Sequence, residues 1–383
     1  MIIVLYSTIL YKTNIKKRRQ KIRQRIIVNY RFIFLVLIVI VLAPMVFAEV
    51  LYVDSKNGND TNSGTKDKPL RSIAQAVVFV NNSKEPGPTT IEISAGVYCF
   101  DKCIAFVNKR PYTQEKRLTI KASVLPDDVS WKPELMPIIL SCEDPRKNGK
   151  LSAHTETYSF KIGISHVTIQ GLKFLGNPLP NNWHGCVERI GENMDDLLVT
   201  QCMFIGDNDS MNIYSAILAT GDRFIVDHCI FKNCHACTVY WDGYEGIGGK
   251  GCAMKYCIVD GAYISGVWTC QTAEDFEFHH NVITNSEYFW MRKRGDRQKY
   301  KIEKCVIVGN KYWSGYGTAS GPTGQTSDEV NYAHVDIIAK GTLIFDANKM
   351  SRNYMHIVEG SVGYDLGAGL FMRLSESSDT EAK

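Results

Sequence analysis

One short pattern constrains this chain more than any other feature: apolar, any, apolar, two of any, then Cys, Asn or Leu, any, apolar. It stands as VTIQGLKF (167–174), LLVTQCMF (197–204), FIVDHCIF (224–231), CAMKYCIV (252–259), FEFHHNVI (276–283) and YKIEKCVI (300–307), with a weaker copy, LIFDANKM (343–350). The copies start 30, 27, 28, 24, 24 and 43 residues apart. Each holds two short alternating runs separated by a two-residue break, the period of two strands meeting at a bend. Such a unit cannot bury its apolar face alone, so copies must stack on one another. A repeat in the middle twenties without a helical segment implies parallel strands coiling around a shared core, an all-β solenoid.

Alternation assigns the faces. The first, third, sixth and eighth positions point inward, which makes Val167, Ile169, Leu172 and Phe174 core. The sixth position reads Leu172, Cys202, Cys229, Cys257, Asn281, Cys305 and, in the weak copy, Asn348, a ladder inside the solenoid. Parallel neighbours hold their Cβ atoms about 4.8 Å apart, whereas a disulfide needs roughly 3.8 Å. The ladder cysteines are therefore expected as buried free thiols and the asparagines as amides bonded to backbone. Cys99 and Cys103, outside the repeats, stay open as disulfide partners. CHAC (234–237) has the spacing of half a zinc site but no second half, so it reads as a turn between strands.

Before the repeats runs DSKNGNDTNSGTKDKPLRSIAQAV (54–77), crowded with turn residues and then abruptly apolar. Its calcium-loop spacing is broken at Lys56 and Gly58, and no Glu closes it. The positions Tyr52, Val53, Gly58, Asp60, Gly64, Thr65, Pro69, Ser72, Ile73 and Ala76 resemble the N-terminal segment of secreted members of the right-handed parallel β-helix superfamily, the pectin-lyase-like fold. That resemblance implies a capping helix from Ser72 to Val77 over the open end of the solenoid. It divides the chain into an N-terminal cap and first coil (49–115), a right-handed parallel β-helix (116–350) and a C-terminal cap with a polar tail (351–383).

Residues 1–48 are of a different kind. KKRRQKIRQR (16–25) precedes the apolar FIFLVLIVIVLAPMVFA (32–48), which is secretory-signal architecture with cleavage after Ala48, or, uncleaved, a membrane anchor. Either way the body is expected to be secreted or at the cell surface. The formal charge of +4 is a property of this segment, which carries nine Lys and Arg and no acid. The remainder holds 35 basic and 40 acidic residues, leaving no basic surface to argue for nucleic acid. Membrane contact is expected only through an uncleaved segment, and a monomer is expected.

Chemistry on a solenoid must use outward columns. The fourth position gives Gln170, Thr200, Asp227, Lys255, His279 and Glu303, and the fifth, at the bend, gives Gly171, Gln201, His228, Tyr256, His280 and Lys304. Asp227, Lys255, His279 and Tyr256 thus form a candidate acid, base and cation cluster; alternating charges also simply stabilise a sheet face. On the strand ending each coil, alternation from Val239, Val267 and Phe289 places Tyr240, Trp268 and Trp290 outward, edged by Asp242, Arg292, Lys293 and Arg294. Aromatic faces pack on sugar rings, and cations recognise carboxylates and hydroxyls. A phase error of one residue would instead make these aromatics core.

The resemblance implies a secreted polysaccharide lyase or glycosidase acting on a neutral or acidic polysaccharide. A lyase would use Lys255 as base, Tyr256 or His279 as acid, Arg292 as carboxylate clamp and Asp227 as ligand to Ca²⁺, the one cofactor that reading admits. A hydrolase would draw its carboxylates from Asp227, Asp242 and Glu245. The Asn-Thr-Asp, Gly-His-Gly and Arg-Ile-Lys segments of polygalacturonases are absent, as is a clear pectate-lyase signature. A non-catalytic β-helix that binds glycan or packs at the cell surface is the alternative.

Overall fold

A computed structural model describes residues 49–84, 88–107, 110–146, 150, 155–191, 193–241, 249–270, 275–293, 299–318, 321–325 and 332–373. The signal or anchor segment, Asp242, Glu245, Arg294 and the tail beyond 373 lie outside the described residues. Strands dominate and form three sheets of ten, nine and eight strands. Each full coil contributes one strand to each sheet, as in Val167–Gln170, Lys173–Leu175 and Trp183–Arg189. Among the described residues the strands of these sheets pair in parallel, apart from one antiparallel strand pair, Tyr312–Thr318 with Gly321–Gln325. The body is a right-handed parallel β-helix, the hand that parallel crossovers adopt.

The eight-residue pattern is the corner between the ten-stranded and eight-stranded sheets. Its fourth residue ends one strand, and its fifth adopts left-handed backbone: Gly171 (φ 74°), Gln201 (51°), His228 (51°), Tyr256 (54°), His280 (53°) and Lys304 (48°). That conformation is unfavourable for residues with a Cβ. It persists here because each fifth-position N–H reaches the fourth-position carbonyl of the next coil, as in His228 to Lys255 (3.0 Å) and Tyr256 to His279 (3.2 Å). The hydrogen-bond ladder therefore continues around the corner.

The interior follows the expected columns. Leu172, Cys202, Cys229, Cys257, Asn281 and Cys305 are all fully buried. The thiols are free and point at backbone carbonyls, Cys229 Sγ at Val199 O (3.5 Å), for example. Asn281 donates to Met254 O (2.8 Å) and accepts from the Cys257 N–H (3.0 Å), so its amide is satisfied without water. Phe174, Phe204 and Phe231 at the eighth position stack with centroids 5.0 Å apart. The weak copy departs from the series. Asp346 accepts from the Asn348 N–H and Asn348 from the Met350 N–H, a succession of side-chain-capped turns that leaves Asn348 exposed.

The first coil and the outer face of the eight-stranded sheet are each covered by a terminal segment. At the N-terminus the helix Ile73–Asn82 is capped by Ser72, whose Oγ accepts from Gln75 N (3.1 Å), and it buries Ile73, Ala76, Val77 and Val80. It runs past Val77 because VFVNN continues the apolar face. At the other end, residues 336–373 run back along the eight-stranded sheet. Val306 bridges Ile338, Gly363 packs on Val306, and Phe371 meets Trp131 at 5.5 Å. This explains why the seventh pattern position, outward on its strand, is apolar in Met203, Ile230, Ile258, Val282 and Val306.

Cys99 and Cys103 are both free, and the thiol beside Cys99 is that of Cys142, whose own titration burial pushes up to about 11.

Candidate functional site

The fourth-position column lies on the outer face of the ten-stranded sheet. Asp227 pairs with Lys255 and Lys255 with His279 in direct register. At the bend beside them the rings of His228, Tyr256 and His280 stack at 4.7 Å intervals. His279 Nδ1 lies 2.9 Å from His280 Nδ1, and His228 Nε2 lies 3.4 Å from Asp227 Oδ1. Burial pushes the Asp227 carboxyl above its ordinary range and the His228 and His279 imidazoles below theirs. The C-terminal segment closes over this corner: His228 Nδ1 donates to Leu370 O, and Arg373 Nη2 donates to Thr200 Oγ1 (2.7 Å) with Asp227 at 3.9 Å.

The aromatic column is built differently from the expectation. Tyr240 pairs with Thr269 and then Arg292; Trp268 pairs with Val239 and Met291; Trp290 pairs with Val267. The three aromatics thus belong to three different rows. Tyr240, Trp290 and Arg292 face inward and are buried. Tyr240 donates to Ala253 O (2.6 Å), Trp290 Nε1 to Thr269 Oγ1 (2.8 Å), and the Arg292 guanidinium lies 5.3 Å from the Tyr316 ring centroid. The physical reason is that both faces of this sheet are apolar here, so alternation carries no phase. Trp268 lies on the outer face, but on the nine-stranded sheet. The cluster of Asp227, Lys255, His279 and Tyr256 belongs to the ten-stranded sheet and its corner, so the two sets do not line one cleft.

A groove of about 560 Å³ does run over the outer face of the nine-stranded sheet, and Trp268 lines it. Its floor is one register column: Lys161, Glu188, Leu218, Val239 and Trp268 from five successive coils. Trp183, Tyr214 and Trp241 wall it, the Trp183 and Tyr214 rings stacked at 3.9 Å.

The polar groups gather at one end. Glu156 and Tyr158 share a face two residues apart on the strand Glu156–Ile162, and the Tyr158 hydroxyl donates to Glu156 Oε2 at 2.6 Å. The Glu188 carboxylate also interacts with that hydroxyl. Lys161 Nζ lies 3.3 Å from Glu188 Oε1 and 4.0 Å from the Tyr158 ring centroid. Burial raises the Glu188 carboxyl despite the opposing pull of Lys161, and it raises the Tyr158 phenol, with both carboxylates adding to the effect. The arrangement places two carboxylates around one phenol in an aromatic-walled groove. Chemically it is able to hold one carboxyl protonated beside one carboxylate.

Glu156, Tyr158 and Lys161 fall before VTIQGLKF, and Glu188 falls on the strand that closes its coil, both outside the eight-residue pattern. One signal was available: Glu188 in CVERI is a charge in a column that continues from it as Leu218, Val239, Trp268 and Met291.

No family model matches the chain, and no curated protein does. Among solved structures it is similar to a rhamnogalacturonan lyase, at 12% identity over 70% of each chain and a TM-score of 0.45. It is similar to a GH136 lacto-N-biosidase from Eubacterium ramulus, at 11% identity, 76% of this chain, 68% of that one and a TM-score of 0.44. Pectate lyase Pel9A gives 11% identity, 83% and 91% coverage and a TM-score of 0.44. These are likenesses of coil architecture, and no residue role is carried over from them.

Proposed function

We propose that the chain is an extracytoplasmic carbohydrate-active β-helix that hydrolyses a neutral glycan in the groove of the nine-stranded sheet. One observation carries the reading: Glu156 and Glu188 converge on the Tyr158 hydroxyl between aromatic walls. Glycoside hydrolysis needs a carboxylic acid to protonate the leaving oxygen and a second carboxylate to act as base or nucleophile. Glu188, whose proton burial helps retain, is the acid; Glu156, held by the Tyr158 hydroxyl, is the second carboxylate. In the hydrolytic step the Glu188 proton passes to the glycosidic oxygen as the C1–O bond breaks, water supplies the hydroxyl at C1, and the proton that water gives up passes to Glu156.

With Glu188 holding its proton, the polar end sets the Glu156 carboxylate against the Lys161 ammonium. No surplus cation is left to balance a uronate in a partly desolvated site, which favours neutral sugars over the acidic polysaccharides the sequence left open. β-Elimination also lacks support in the groove, since Lys161 is already engaged by Glu188 and is the one cation among the described lining residues.

The test is incubation of the purified full chain with neutral and acidic polysaccharides. New reducing ends from a neutral glycan, without the absorbance of unsaturated uronates, is the expected result. Binding without cleavage by the wild-type chain would favour the non-catalytic glycan-binding reading.

A further inference from the structure

We propose that the apolar stretch of the groove floor, Leu218, Val239 and Trp268, receives the acyl group of an acetylated neutral sugar. The inference rests on the neutral-glycan reading of the same groove and names the substituent that the groove selects.

The floor changes character along its length. Beyond Lys161 and Glu188 the column turns to Leu218, Val239 and Trp268, each under a tenth exposed. Two of these side chains are aliphatic and offer no hydrogen bond. A sugar hydroxyl pressed against them would leave water and find no replacement, an unfavourable exchange. Whatever part of the ligand sits there must be poor in hydroxyls.

The same stretch is not wholly apolar. The Trp268 indole N–H and the Ser215 hydroxyl, both from residues lining the groove, are buried without a hydrogen-bond partner. Buried donors are nearly always paired, so each such exception asks for a partner the protein does not supply. A carbonyl oxygen is that partner, reached by a turn of the indole toward the groove. Methyl on the aliphatic floor and carbonyl toward the indole is the description of an acetyl group. A free carboxylate would also bring an acceptor, but the Glu156 carboxylate disfavours it and the Lys161 ammonium is already engaged by Glu188.

Acetyl reaches a glycan as an ester on a hydroxyl or as an amide on an amino sugar, and both present the same methyl and carbonyl. Tryptophan-fluorescence titration of the full chain separates them: acetylated xylo-oligosaccharides against the same sample de-esterified with mild alkali, and N,N′-diacetylchitobiose against cellobiose. At least one acetylated member should bind about tenfold more tightly than its partner, the gain expected from burying one to two carbon groups. Val239→Thr, nearly isosteric but polar, should cut that preference by about threefold. Trp268→Phe, which keeps a ring and loses the N–H, should cut it further. Equal affinity within both pairs, or a preference that neither variant moves, overturns the proposal. Hydrolysis of an unsubstituted glycan together with equal affinities would overturn it while leaving the hydrolase reading intact; no binding of any neutral glycan would overturn both.

Discussion

The Tyr158 hydroxyl donates to Glu156 at 2.6 Å from the same outward strand face. A bond this short to a carboxylate is charge-assisted and fixes the carboxylate's direction. Tyr158→Phe should therefore lower kcat on a neutral glycan by roughly 10- to 100-fold while leaving the melting temperature nearly unchanged. Steady-state kinetics and calorimetry check both halves; unaltered kcat would remove Tyr158 from the site.

Lys161 opposes the rise that burial imposes on the Glu188 carboxyl. Removing its charge disfavours the ionised form further, so Glu188 should hold its proton to higher pH. In the pH profile of kcat/KM, Lys161→Met should move the alkaline limb upward, and Lys161→Arg should restore it toward the wild-type position. A downward shift in the Met variant would contradict the assignment of Glu188 as the acid.

Trp290 and Trp268 make opposite predictions although both sit in the strand that closes a coil. Trp290 is a fully buried core ring bonded to Thr269, and Trp290→Ala should cost about 3–5 kcal/mol of stability. Trp268→Phe, on the groove face, should change ligand affinity at little cost in stability. Chemical denaturation beside fluorescence titration distinguishes the two positions.

That contrast marks where the sequence was legible. The corner pattern specified the inward columns and the Asp227–Lys255–His279 register, because one face of each of those strands is polar and pins the phase. On the nine-stranded sheet both faces are apolar, so Tyr240, Trp268 and Trp290 looked equivalent when they belong to different rows. The apolar seventh positions made sense only once residues 336–373 were seen to lie over them. Glu156 escaped because its strand precedes the first copy of the pattern, and Glu188 because the strands that close the coils lie outside it; only the charge of Glu188 beside an apolar run of the column marked it.

The C-terminal segment is tied down by a histidine that must stay neutral. His356 Nε2 accepts from the Phe371 N–H (3.1 Å), and burial lowers its pKa from 6.5 to about 4. Between those values the unfolded chain binds the proton and the folded chain does not. Stability is therefore complete above about pH 6.5 and falls as pH drops toward 4, by at most about 3 kcal/mol from this group. His184, also lowered to about 4 by burial, acts in the same window. Melting temperature should fall from pH 7 to pH 4.5, and His356→Gln should flatten part of that slope. An unchanged slope would mean that His356 does not contribute.

The outward ladder of Asp227, Lys255 and His279 offers a further control. Its residues are neighbours in strand register, with Asp227 3.9 Å from Arg373, on a sheet other than the one that carries the groove. Lys255→Met should leave glycan hydrolysis within about twofold of wild type and change stability by about 1 kcal/mol or less. Loss of hydrolysis in that variant would return the chemistry to the ladder.

The most direct measurement is the release of reducing ends from a neutral glycan by the wild-type chain and by Glu188→Gln, with binding followed in parallel. The account predicts hydrolysis by the wild type, a fall of about 10²- to 10⁴-fold in the variant, and glycan binding retained in both. Hydrolysis undiminished by Glu188→Gln, or none by the wild type on any neutral glycan, would contradict it.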